Sequence, residues 1–142
     1  MNLTPHFTLQ ELTRTDTCLP NIPSDFELAR LRRLSEALEK VREAMGGLPI
    51  TINSGFRSML VNHAVGGASS SAHLRGDAAD FVCPQFGAPA EICLSIIDAG
   101  IEFDQLICES MWVHFGLSDK PRQQVMTALP DGRYTFGIRR NI

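Results

Sequence analysis

The sequence predicts an α+β fold, with a small, mostly antiparallel central sheet flanked by helices. Three observations predict it. One long segment carries apolar residues at helical spacing. Several short segments alternate apolar and polar residues between turn signals. The two kinds of segment follow each other without a strict βαβ rhythm, which argues against a parallel sheet. The chain has 142 residues, with 44% hydrophobic and 20% charged residues, an ordinary globular composition long enough to bury its own core. A single domain over residues 1–142 is expected: an N-terminal arm at 1–23, a core at 24–117, and C-terminal strands at 118–142.

Residues 1–23 read as irregular, broken by Pro5, Pro20 and Pro23, with one short helix over 8–14. Ser24, followed three residues on by Glu27, forms a capping box that opens a long helix. Phe26, Leu31, Leu34, Leu38, Val41 and Met45 mark its apolar face, and Gly46-Gly47 stops it. Residues 49–53 read as a strand entering a turn at Ser54-Gly55, followed by a short helix over 58–64. The serine run at 69–71 is small and polar, which suits the rim of a cleft. Residues 78–82 form a strand and residues 88–99 a second helix, closed by Gly100. Residues 103–109 and 112–117 form an antiparallel pair. Pro130-Asp131-Gly132 turns the chain between two last segments, 124–129 and 133–138.

Composition excludes several classes of function. A formal net charge of −3 leaves no basic footprint for nucleic acid. No apolar run approaches the roughly 18 residues that a membrane span needs. The first ten residues lack a charged region followed by an apolar one, so synthesis in a cytoplasm without a signal peptide is expected. Cys18, Cys83, Cys93 and Cys108 include no Cys-x-x-Cys pair, and the last three sit in apolar segments. Buried free thiols are the expectation for those three.

The chemistry concentrates in two places. Ser71-Ala72-His73-Leu74-Arg75-Gly76-Asp77-Ala78-Ala79-Asp80 is followed by Trp112-Val113-His114, whose histidine lies 34 residues after Asp80. Gly76 permits a tight reversal between His73 and Asp80. Strand alternation gives Asp80 the face shared with Ala78 and Val82, and leaves Phe81 for the core. Trp112 and His114 share a face by the same rule, so an aromatic wall stands beside a third ligand. Two imidazoles and a carboxylate, with a fourth position left to water, compose a catalytic rather than a structural zinc site. A serine nucleophile lacks its Gly-x-Ser-x-Gly elbow, and no cysteine has an activating histidine beside it in sequence. His63 and His6 have no partner at ligand spacing.

The pattern Ser-x-His-x-x-Gly-x-Ala-x-Asp, closed by Trp-Val-His, resembles the signature of the zinc D-alanyl-D-alanine carboxypeptidases and their endopeptidase relatives, which cut bacterial cell-wall peptides. The likeness runs from Phe7 to Gly116 and includes Phe7-Thr8-Leu9-Gln10-Glu11-Leu12 and Ser54-Gly55-Phe56-Arg57. It resembles most the compact form encoded by bacteriophages and prophages. The resemblance implies a hedgehog/D-Ala-D-Ala-peptidase-like fold and one zinc ion held by His73, Asp80 and His114. It implies a monomer that hydrolyses peptidoglycan stem peptides, as carboxypeptidase or endopeptidase, at the cell wall after release or as part of a virion. It places Arg57 at the cleft, holding an oxyanion or a substrate carboxylate, and Ser71 in support of the ligands.

The general base departs from the family pattern. Relatives carry an acid three positions before the last zinc-binding histidine, where this chain has Met111. The nearest carboxylate is Glu109. If Glu109 and Trp112 pair across a turn at Ser110-Met111, then Glu109, Trp112 and His114 point into one cleft. Ser-Met is poor chemistry for such a turn, and a shifted register would turn Glu109 away. Asp104 and Asp77 are weaker candidates for the base. Met111 also favours an alternative, a non-catalytic zinc-binding interaction module of the same fold.

Overall fold

The computed structural model describes residues 1–140. Asn141 and Ile142, the last two positions of the predicted segment 118–142, lie outside the described residues. Strands β1 (Asn2–Thr4) and β2 (Phe7–Thr8) form a small antiparallel pair that the sequence did not announce. Strands of three and two residues are too short to display alternation. Helix α1 (Leu9–Thr13) follows, opened by a capping box between Thr8 and Glu11.

Helix α2 (Asp25–Ala44) starts at the predicted box: the Ser24 amide donates to Glu27 Oε1 at 2.8 Å, and the Glu27 amide to Ser24 Oγ at 3.3 Å. Its residues Leu31, Leu34, Leu38 and Val41, with Met45 just beyond the helix, are buried against the sheet. Phe26 departs from the predicted apolar face. It is 66% exposed, and the Arg30 guanidinium lies 5.3 Å from its ring centroid. Phe26 thus lies on the exposed side of the first turn, with Arg30 rather than the core as its neighbour.

One six-stranded sheet organises the rest. Its strands are β3 (Thr51–Ser54), β4 (Ala78–Val82), β5 (Gln105–Cys108), β6 (Val113–Gly116), β7 (Gln124–Ala128) and β8 (Tyr134–Phe136). They lie in the order β3-β4-β6-β5-β7-β8, and only the β5/β7 pair is parallel. Helix α3 (Met59–Ala64) and helix α4 (Pro89–Asp98) complete the fold, which is α+β as predicted. The core lies between the sheet and α2 and α4. Ala79, Phe81, Leu106 and Phe115 meet Leu34, Leu38, Ile92 and Ile96 there. Cys83, Cys93 and Cys108 are buried and Cys18 is exposed. No helix among the described residues is long and apolar enough to cross a membrane.

Candidate metal centre

The site is built at the junction of β3, β4 and β6. A 3-10 turn (Ala72–Arg75) carries His73, and Gly76 ends it in the left-handed conformation, φ +79°. A Cβ at Gly76 would stand 2.9 Å from the Glu27 carbonyl oxygen of α2. Only glycine therefore lets the chain reverse here while lying against the helix. Asp77 then enters β4 under three arginines. Its Oδ1 accepts from Arg30 Nε at 2.8 Å and Arg33 Nη2 at 3.1 Å, and its Oδ2 from Arg30 Nη2 at 2.9 Å and Arg75 Nε at 3.3 Å. Asp77 is 1% exposed and serves as a buried anchor, so it drops out as a base.

Three residues beyond Asp77, Asp80 faces His114 directly across the β4/β6 ladder. Asp80 Oδ1 lies 2.9 Å from His114 Nδ1, and Asp80 Oδ2 lies 3.3 Å from His73 Nε2. One ligand atom from each of His73, Asp80 and His114 lies within 4.8 Å of the others. His73 and Asp80 are 3% and 8% exposed. The tautomer of His73 follows from its other nitrogen. Nδ1 lies 2.7 Å from the Gly55 carbonyl oxygen, which can only accept, so Nδ1 carries a proton and Nε2 is the nitrogen turned toward Asp80.

Burial alone would push the Asp80 carboxyl up. The hydrogen bonds and charges of His114 and His73 outweigh it and hold the group well below the usual carboxylate range. Two nitrogens and one carboxylate oxygen, convergent and largely buried, suit a divalent metal at the floor of a cleft. The residues present fit the group.

That cleft, of about 410 Å³, brings together seven candidates named from sequence: His73, Asp80, His114, Arg57, Glu109, Ser71 and Trp112 all line it, while Asp77 does not. Arg57 follows β3, and its amide donates to the His73 carbonyl at 3.0 Å. Its guanidinium donates from Nε to Ser54 Oγ at 3.0 Å, and Nη2 lies 3.4 Å from Asp80 Oδ2. Ser71 caps the 3-10 turn, its Oγ accepting from the His73 amide at 3.2 Å. It supports the ligand through the backbone.

Glu109 takes the position that the hairpin register predicts. Cys108 opposes Val113, and the Glu109 amide donates to the Trp112 carbonyl at 3.0 Å. Neither Ser110 nor Met111 adopts positive φ, so the register closes without the left-handed residues of the favoured two-residue turns. Burial pushes the Glu109 carboxyl up and the Asp80 charge adds to this, while His114 and the Tyr134 hydroxyl pull it back. Asp104 also lines the cleft, but both its oxygens accept from Arg122, at 2.9 Å each. His6 lies elsewhere, with its Nδ1 2.8 Å from Glu39 Oε1 of α2, and His63 is exposed on α3.

Sequence reasoning missed Tyr134. It lines the cleft because β7 runs parallel to β5 and returns as β8. Being the chain's one tyrosine, in a strand after a Pro-Asp-Gly turn, was its only signal.

The sequence pattern of the peptidase M15 family matches residues 5–116, which include all three candidate ligands, Arg57 and Glu109. A zinc D-Ala-D-Ala carboxypeptidase from Streptomyces albus G is 43% identical over 77 residues, 53% of this chain. The match spans 30% of that protein's length. With the family pattern covering most of its length, the chain belongs to the peptidase M15 family.

Proposed function

We propose that this protein is a zinc-dependent peptidase that hydrolyses peptide bonds in peptidoglycan stem peptides. The observation that carries the reading is the position of Glu109. A half-buried carboxylate lines the same cleft as His73, Asp80 and His114, although the family's usual acid is replaced by Met111. The family match and the named activity of the Streptomyces relative support it.

His73 Nε2, His114 Nδ1 and an Asp80 oxygen would hold the ion. Zinc, when bound, supplies a Lewis acid that brings the pKa of water toward about 7 and draws charge from a carbonyl oxygen. Glu109 takes a proton from the attacking water and returns it to the leaving amine. Its raised affinity for protons suits both halves of that exchange. Arg57 donates to the oxygen on which charge develops, or to a substrate carboxylate. Trp112 provides an apolar wall for the peptide. Cell-wall lysis of phage or prophage origin is the setting we infer, on sequence resemblance.

The test is digestion of purified peptidoglycan by the zinc-loaded protein, with mass spectrometry of the released fragments and a chelated control. Defined stem-peptide cleavage that disappears on chelation supports the reading, and the fragment termini distinguish carboxypeptidase from endopeptidase action. No cleavage across several wall chemotypes would instead favour a non-catalytic zinc-binding module.

A further inference from the structure

A second cavity, of about 490 Å³, adjoins the metal cleft, and the two share Glu109 and Tyr134 as walls. None of the three candidate metal ligands lines it. Small apolar residues from the start of α4 and from the β7–β8 turn form much of its surface. Its cationic side chains are Arg139 and Arg140. Arg140 is committed to Glu91, with Nε 2.7 Å from Oε1 and Nη2 3.1 Å from Oε2.

Arg139 differs. Its backbone is fixed, because its amide donates to Thr127 Oγ1 at 3.0 Å and that buried hydroxyl donates to the Gly137 carbonyl at 2.7 Å. Its side chain is exposed, and the ion pairs formed at this end of the described residues belong to Arg133 and Arg140. An exposed cation on a fixed backbone, beside a cavity with partly apolar walls next to the candidate catalytic cleft, matches a peptide segment that carries a carboxylate. Tyr134 and Arg139 also lie beyond residue 116, where the family match ends.

We infer that this second cavity is a subsite for a carboxylate of the substrate peptide away from the scissile bond, with Arg139 as its ligand. The inference rests on the peptidase reading above and narrows its substrate class to acidic peptides. Arg139 acts on selectivity and leaves the chemistry to the metal cleft.

The experiment uses two stem peptides containing diaminopimelate. One has its D-glutamate and diaminopimelate side carboxylates free, the other has both amidated, and both keep a free C-terminus. Zinc-loaded wild type, Arg139→Gln and Arg139→Lys are compared by kcat/KM and by calorimetric binding. Wild type is expected to favour the free-carboxylate peptide by about tenfold, the scale of one charge-assisted contact at an exposed arginine. Arg139→Gln loses that preference by weakening only the free-carboxylate peptide, and Arg139→Lys keeps part of it. Zinc content and Tm stay unchanged in both variants.

Equal losses on both peptides, or an unchanged preference in Arg139→Gln, would overturn the subsite. Binding preference without any cleavage by wild type would keep the subsite and overturn the peptidase reading. Cleavage without preference would do the reverse, and neither binding nor cleavage would overturn both.

Discussion

His73 Nδ1 lies 2.7 Å from the carbonyl oxygen of Gly55, and this contact decides which nitrogen of His73 faces Asp80. Gly55 is itself held by close packing: a Cβ there would stand 2.5 Å from the Leu12 carbonyl oxygen, while the Phe56 amide donates to that same oxygen at 2.7 Å. Helix α1 thus reaches the candidate metal centre through the Leu12 carbonyl.

Gly55→Ala must therefore move either β3 or α1. Overpacking of this kind costs about 1–3 kcal/mol. Displacing the partner of a ligating histidine lowers metal affinity by about 10–100-fold. Thermal denaturation of the metal-free protein and zinc competition against a chelator measure the two effects separately. A change in Tm with unaltered zinc affinity would show that the Gly55 carbonyl does not orient His73.

Asp77→Asn tests the arginine anchor between the ligands. The carboxylate is buried, while Arg30 and Arg33 keep 18% and 38% of their side-chain surface exposed. Removing a partner from a buried pair costs about 3–5 kcal/mol. Partial hydration of the arginines puts this case near the lower end. A urea titration should show the loss as a reduced midpoint. A loss below about 1 kcal/mol, the scale of surface pairs, would contradict the anchor.

Tyr134→Phe should move the acid limb of the pH–activity profile. Burial raises the Glu109 carboxyl, and the Tyr134 hydroxyl is one of the two groups that lower it. Removing that hydroxyl leaves the pKa higher. Activity that requires ionised Glu109 then falls away at a higher pH than in wild type. The profile of kcat/KM checks this, and a shift to lower pH, or none, would separate Tyr134 from the base.

Much of the site was legible because it is local. Only six residues, the turn glycine Gly76 among them, separate His73 from Asp80. Strand alternation and one hairpin register bring Glu109, Trp112 and His114 onto one face. What stayed hidden depends on distant packing. Two of the three arginine partners of Asp77, Arg33 and Arg30, are 44 and 47 residues away on α2. Tyr134 and Arg139 reach their cavities only because β7 pairs in parallel with β5, a choice of edge that no periodicity records.

Phe26 shows the same limit in a single residue. Helical spacing places it with Leu34, but it does not say where the sheet beneath the helix ends. Phe26→Ala should change stability by no more than about 0.5 kcal/mol, as at other surface positions. Leu34→Ala, fully buried, should cost about 2–5 kcal/mol. Matched denaturant titrations compare the two, and similar losses would contradict a Phe26 that stands outside the core.

The most direct test of the account is the rate of stem-peptide hydrolysis by Glu109→Gln and wild type at equal, measured zinc occupancy. Glutamine keeps the size and polarity of the side chain and removes its capacity to take a proton. The account predicts unchanged zinc content and Tm, with kcat lowered by about 10²–10⁴-fold, the range for losing a general base. Turnover within a few-fold of wild type would contradict Glu109 as the base in the absence of the family's usual acid.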